Sequence, residues 1–142
     1  MQTLQLLGGA AGRAAFLRRA LDHLRPGGLL AAALADAVAC FDGEHDAPPP
    51  PDACTIGEVR YATRLLAVTD DGDGRAAIHR RREITGPDLR RDSSEVVVRL
   101  DRVSAHQVTA EARALGFLEE PPLHIPDTDE YLGSTVVVLR AP

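Results

Sequence analysis

Hydrophobic positions change their period twice along this chain. Between Ala10 and Leu24, the apolar residues Ala14, Leu17, Leu21 and Leu24 recur at three- and four-residue spacing, while Arg13, Arg18, Arg19, Asp22 and Arg25 fall largely elsewhere. That pattern predicts an amphipathic helix. Pro26 cannot continue it, and Gly27 supplies the left-handed conformation common just past a helix end. The run LLAAALA, Leu29 to Ala35, then follows without a polar break. An unbroken apolar segment of this length reads as the central strand of a parallel sheet, buried on both faces.

Residues 42–57 carry four consecutive prolines and almost no periodicity. They read as an exposed Pro-rich loop, either a surface linker or a PxxP-type ligand. Over 58–103 the period becomes two. EVRYATRLLAVT and RAAIHRRREIT flank DDGDG, the signature of a hairpin on a Gly/Asp turn, and SEVVVRLDRV supplies a third strand of a small antiparallel sheet. SAHQVTAEARALGF reads as a second helix, capped by Ser104, striped by Val108, Ala112 and Leu115, and ended by Gly116. The segment LHIPDTDEYLGSTVVVLRA gives two closing strands, the stronger from Ser134 to Ala141.

The expected organisation is one domain over 1–142. A helix and central strand occupy 1–41, the loop 42–57, the β-insertion 58–103, and a helix with a β-hairpin 104–142. The class is α/β: part of a doubly wound, Rossmann-like sheet with a small antiparallel excursion and a C-terminal hairpin. Right-handed crossovers place the helices on its faces. No internal repeat is visible.

Composition narrows the function classes. A 142-residue chain that is 44% hydrophobic and 26% charged is ordinary for a soluble globular domain. At this size folding buries roughly 68–70% of the unfolded surface, so no disulfide or metal staple is needed. All 16 basic residues are arginine, and lysine and asparagine are absent, as expected of a G+C-rich coding sequence. With a net charge of -5, the arginines do not make a nucleic-acid surface. The missing lysine excludes a P-loop lysine and a Schiff base. Cys40 and Cys54 read as reduced thiols; Cys40 with His45 does not form a standard zinc spacing. No secretory segment and no apolar run near the ~18 residues of a membrane span is present, so a cytoplasmic location is expected.

Candidate chemistry is sparse. In TLQLLGGAAGRAAFL, a strand, a glycine turn and a helix could cradle phosphate on Gly8, Gly9 and Gly12. Asp36, 24 residues beyond Gly12, stands near the distance of a ribose-binding acid. The glycine spacing is G-G-x-x-G rather than G-x-G-x-x-G, which weakens that reading. DDGDG lacks the remaining ligands of a calcium loop. Gly133-Ser134 is not a nucleophile elbow. His79 and the HRRRE segment read as a solvated strand face, and Asp127, Asp129 and Glu130 as a solvated acidic turn. Composition and spacing alone identify no catalytic or metal-binding residue.

The linear order of LQLLGGAAGRAAFLRRALDHLRPGGLLAAALAD and the closing IPDTDEYLGSTVVVLR resembles the C-terminal half of class I S-adenosylmethionine-dependent methyltransferases. There a helix ends in an Arg/Lys-Pro-Gly-Gly turn, feeds the fifth strand, and is followed by another helix and the antiparallel hairpin of strands six and seven. Leu24 to Ala35, Val108 to Phe117 and Thr135 to Leu139 match those stations. Residues 58–103 match the β-excursion that many small-molecule members insert after strand five. The family's acidic glycine-rich cofactor loop and its other cofactor contacts would lie upstream of Met1, and Met1 to Leu7 would begin just after strand four.

The resemblance thus implies a C-terminal fragment or a subunit that needs a partner. S-adenosylmethionine would be the cofactor of the intact fold, with no site for it evident in this chain alone. Catalysis would be by proximity to a small-molecule acceptor. The crevice-facing positions, Gln2, Gln5, Asp36 and Phe41, are the substrate-side candidates. A half sheet would also leave an apolar edge near Leu29 to Ala35, suited to a non-catalytic binding or homodimerisation module. A small nucleotide-binding βαβ protein using Gly8 to Gly12 is the third expectation, and it needs no partner chain.

Overall fold

The computed structural model describes residues 3–35, 41–42, 50–126, 128 and 133–142. Its contacts divide the chain into two units, Met1–Val38 with Asp101–Pro142, and Ala39–Leu100.

The first unit opens on a 3-10 turn, Thr3–Leu6, and then α1, Ala10–His23. A 3-10 turn thus stands where the nucleotide-binding reading requires a strand. Gly8 and Gly9 both take positive φ, 75° and 98°, and swing the chain from one helical turn into the next. Leu24 caps the other end of α1 in extended geometry, its N–H on the Ala20 carbonyl at 3.1 Å. Gly27 has φ 76° as its sequence context predicts, and Gly28 N–H closes the turn on Arg25 O at 2.8 Å. The Arg-Pro-Gly-Gly turn is also pinned to the chain's end, because Gly27 N–H donates to Ala141 O and Ala141 N–H to Gly28 O.

From this turn runs β1, Leu29–Ala35. The last two strands are β7, Leu118–Ile125, and β8, Ser134–Arg140. Their sheet has the order β1-β8-β7, with β8 antiparallel to both neighbours, from Leu29 opposite Arg140 to Ala35 opposite Ser134. Leu29–Ala35 is thus not a central parallel strand buried on both faces. Among the described residues it is an edge strand paired antiparallel, with Leu29 and Ala31 exposed and only Leu34 and Ala35 buried. Continuous alanine and leucine signalled low polarity, not two covered faces. β7 starts earlier than expected, and Pro121 and Pro122 sit where its register with β8 slips between Glu120 and Leu123. Prolines lack the ladder donor and are tolerated at the bulge of an edge strand.

The second helix, α2, Ala105–Ala114, follows the sequence closely. Ser104 Oγ accepts from Gln107 N–H at 3.2 Å, and Gln107 Oε1 accepts from Ser104 N–H at 2.9 Å, a reciprocal capping box. Ser104→Ala should lower the unfolding free energy by about 1 kcal/mol, read from the urea midpoint. Leu17, Leu34, Val108, Phe117, Val137 and Leu139 form the core of this unit, joined by Leu4 from the 3-10 turn.

The second unit is a five-stranded sheet. It contains β2, Phe41–Asp42; β3, Asp52–Ile56; β4, Val59–Gly72; β5, Arg75–Thr85; and β6, Arg91–Asp101, whose last residue belongs to the first unit. The order is β2-β4-β5-β6, with β3 also paired to β4. The end of the expected 42–57 loop is therefore a strand: Asp52–Ile56 runs antiparallel to β4, from Asp52 opposite Thr63 to Ile56 opposite Val59. Its residues are all exposed, so no apolar alternation announced it. The DDGDG turn is as expected. Gly72 faces Arg75 across Asp73 and Gly74, which both have positive φ, 50° and 71°, as a twisted two-residue hairpin demands.

Candidate functional site

The densest polar chemistry in the first unit gathers where α1, α2 and the end of β6 meet. Arg13 lies on the same face of α1 as Leu17, four residues on, and is buried at 6% exposure. Each guanidinium nitrogen donates: Nη1 to Asp101 Oδ2 at 2.8 Å, and Nε and Nη2 to the two oxygens of Glu111, each at 2.8 Å. Asp101 Oδ2 also accepts the Gly9 N–H at 2.6 Å, which makes it the cap of α1 from 92 positions away. A carboxylate there faces the positive end of the helix. The Glu111 hydrogen bond, aided by both carboxylates against a desolvation penalty, pushes the Arg13 guanidinium upward from its ordinary value. Arg13 consequently stays charged wherever the protein folds.

This arrangement bears directly on the glycine turn. The residues before Gly8 form a 3-10 turn rather than a strand, and the amide of Gly9 is already taken by Asp101. A phosphate would have to displace a buried carboxylate held by Arg13. The nucleotide-binding reading of Gly8, Gly9 and Gly12 is corrected on that ground. Gly12 serves the fold instead, because a Cβ there would stand 1.8 Å from the Leu7 carbonyl oxygen.

Of the four substrate-side candidates, Gln2 and Asp36 lie outside the described residues. Phe41 falls in β2, its backbone opposite Val68. Gln5 is turned inward, at 1% exposure. Its Oε1 accepts the Ala35 N–H at 2.9 Å, and its Nε2 donates to Asp101 O at 3.2 Å and Ala35 O at 3.4 Å. The amide therefore grips backbone rather than an open crevice. Cys40, His45, Asp127, Asp129 and Glu130 also lie outside the described residues. Cys54 is an exposed thiol. His79 bonds Thr69 Oγ1 at 3.3 Å, and Arg81 pairs with Glu95 at 2.7 Å on the same sheet.

Two hollows stand out among the described residues. One, of about 190 Å³, lies against β1 between Thr3, Leu4, Phe16 and the strand residues 30–33. The other is an open basin of about 290 Å³ on the second sheet, offering Tyr61, Thr63, Arg82, Ile84, Asp92 and Ser94. Both fall below the roughly 300–1,000 Å³ of a usual ligand site. The first is lined by Thr3 and otherwise by apolar side chains, with no charged side chain to meet a sulfonium or a carboxylate. Neither of these two hollows is a built site for S-adenosylmethionine. Among them, no group of three or more His, Cys, Asp or Glu side chains could hold a metal ion, and no helix is long and apolar enough to cross a membrane.

No family model matches the chain, and no curated protein does. Solved structures match it over nearly its whole length. It is similar to DesVI of Streptomyces venezuelae, with TM-score 0.68, 14% identity, and 96% of this chain and 55% of that chain covered. It is similar to CalS10, a SAM-bound amino pentose methyltransferase from Micromonospora echinaspora involved in calicheamicin biosynthesis, with TM-score 0.65, 17% identity and coverages of 100% and 56%. It is also similar to KedS8, a sugar N-methyltransferase from Streptoalloteichus sp ATCC 53650, with TM-score 0.62, 16% identity and coverages of 97% and 53%. At these identities the likeness is one of fold. The chain has an α/β fold resembling the C-terminal half of class I S-adenosylmethionine-dependent methyltransferases. It spans about half the length of the solved structures it matches.

Proposed function

We propose that the chain forms the substrate-side portion of an S-adenosylmethionine-dependent methyltransferase that acts on a small molecule, an amino sugar being the class favoured. The observation that carries this reading is the match of the entire chain to about half of methyltransferases whose names specify sugars. The cofactor-binding half is supplied from outside these 142 residues, as further polypeptide or as a separate chain. When bound there, the cofactor supplies an activated methyl group. This chain contributes a rigid sheet edge, β1, and a polar sheet that presents Tyr61, Arg82 and Asp92. A ring and paired hydrogen-bonding groups suit a polar, ring-shaped acceptor.

Methyl-labelled S-adenosylmethionine and a panel of amino sugars test the proposal. Label should reach an amino group only when the cofactor-binding half is present. Transfer by the 142 residues alone, or to no small acceptor with both halves present, contradicts it.

A second reading rests on the position of β1 at the end of its sheet, where one edge has no strand partner among the described residues and Leu29 is 52% exposed. Such an edge accepts a strand from another chain, a second copy included. Light scattering across a concentration series separates the readings: a dimer lost on placing a proline at Ala31 favours self-association, and a monomer at all concentrations removes it.

A further inference from the structure

We propose that Gln5 is a positioning residue: its side-chain amide stands in for a neighbouring strand at the last rung of β1 and ties that rung to the returning end of β6. The proposal is independent of methyl transfer.

In a strand, the N–H and C=O of one residue point to the same edge, and successive residues alternate between edges. Ala35 directs both groups at Gln5, and therefore away from β8. By alternation, the polar groups of Ala33, Ala31 and Leu29 face the same edge, which carries no strand among the described residues. At Ala35 that edge is closed, and it is closed by a side chain. A primary amide suits the task because it offers one acceptor oxygen and two N–H donors. All three are used: the oxygen on Ala35 N–H, and the donors on the carbonyls of Ala35 and Asp101. The amide orientation follows from the partners, since the reverse would set the oxygen against two carbonyls and the NH₂ group against an N–H.

The three partners mark a junction. Ala35 ends β1, and Asp101 ends β6 and opens the second stretch of the first unit, so one side chain holds two strand ends. Asp101 is fixed a second time by its carboxylate on Gly9 and Arg13. Gln5 itself is placed by its buried neighbour Leu4 in the core. The stretch before α1 thus holds the last residue of β1 to the last residue of β6. It also terminates the open edge of β1, leaving Leu29, Ala31 and Ala33 as the rungs available to another strand.

Native-state hydrogen exchange by NMR on the full chain, with Gln5→Met and Gln5→Glu, tests this. In the native chain the Ala35 amide should exchange about tenfold or more slowly than the amides of Ala31 and Ala33 on the open edge. Gln5→Met keeps the bulk and removes the bonds, so Ala35 should lose about tenfold protection relative to the core amide of Leu139. A role in packing alone would move both amides together.

Gln5→Glu adds a pH signature. The introduced carboxylate, once ionised, would face the carbonyl oxygens of Ala35 and Asp101, so its folded pKa is raised above the unfolded value of about 4.3. Protection at Ala35 is then retained below that value, where the protonated carboxyl still donates once, and is lost as pH rises through the raised value. Among the described residues, the charged side chains at this junction are Asp101, Arg13 and Glu111, which both proteins share, so ratios are taken to the native chain at each pH. Ala35 exchanging as fast as Ala33 in the native chain, unchanged relative protection in Gln5→Met, or a pH-independent Gln5→Glu ratio overturns the proposal.

Discussion

Arg13→Met should lower the stability of the chain by about 3–5 kcal/mol, the usual effect of removing one partner from a buried ion network. The methionine keeps most of the apolar stem, so the loss reports charge and hydrogen bonding rather than volume. Asp101 is the group that suffers. It is 7% exposed, and without the guanidinium its carboxylate retains, among the described residues, the Gly9 amide. Glu111 is less affected because its side chain is 25% exposed and can rehydrate. Glu111→Gln should therefore cost far less, about 1 kcal/mol. Urea denaturation of both variants checks the ordering. A loss under about 1 kcal/mol for Arg13→Met would mean that the network is no stronger than a surface pair.

Gly12→Ala should be comparably damaging, with a loss of about 3 kcal/mol or more. Helix propensity alone predicts the opposite sign, a gain of about 1 kcal/mol for alanine in a helix interior. The sign therefore decides which effect dominates. The added Cβ would meet the Leu7 carbonyl oxygen at 1.8 Å and its carbon at 2.8 Å, and both are backbone atoms that no rotamer change can withdraw. Relief requires the 3-10 turn to move off α1, which pulls Leu4 out of the core and Gln5 off Ala35. Gly8→Ala is the control: it pays only for its positive φ, with nothing within 4 Å of the new methyl, and should lose about 1 kcal/mol. A stabilised Gly12→Ala would show that α1 is not clamped to Leu7.

Where the sequence was legible, the information was local. The Arg-Pro-Gly-Gly turn, the Ser104–Gln107 cap and the Asp73-Gly74 hairpin are each decided by residues within four positions of one another, and each stands as read. The ordered set of Leu24 to Ala35, the 58–103 excursion, Val108 to Phe117 and Thr135 to Leu139 is enough to mark the methyltransferase resemblance, which the solved structures support in fold. What escaped involves partners far apart in the chain. Arg13 is grouped by the periodicity with the residues that fall largely off the apolar stripe, although it sits four residues before Leu17. Its carboxylates lie 88 and 98 positions away, where no spacing rule reaches.

Leu29–Ala35 was read as a strand correctly and as a parallel central one incorrectly. Composition reports the polarity of a strand's surroundings, while pairing depends on β8, more than a hundred residues later. Gln5 is legible as a residue near the strand end, while its inward turn belongs to the 3-10 geometry of Thr3–Leu6, which no apolar periodicity announces.

The central claim is that these residues carry the substrate side of a methyltransferase fold and that the cofactor site lies outside them. Calorimetric titration of S-adenosylmethionine into the folded 142-residue chain tests it most directly. No heat of binding at millimolar cofactor, from a sample whose folding is verified by its exchange-protected core, is the result expected. Micromolar binding would contradict the account, because a cofactor site would then assemble from these residues themselves.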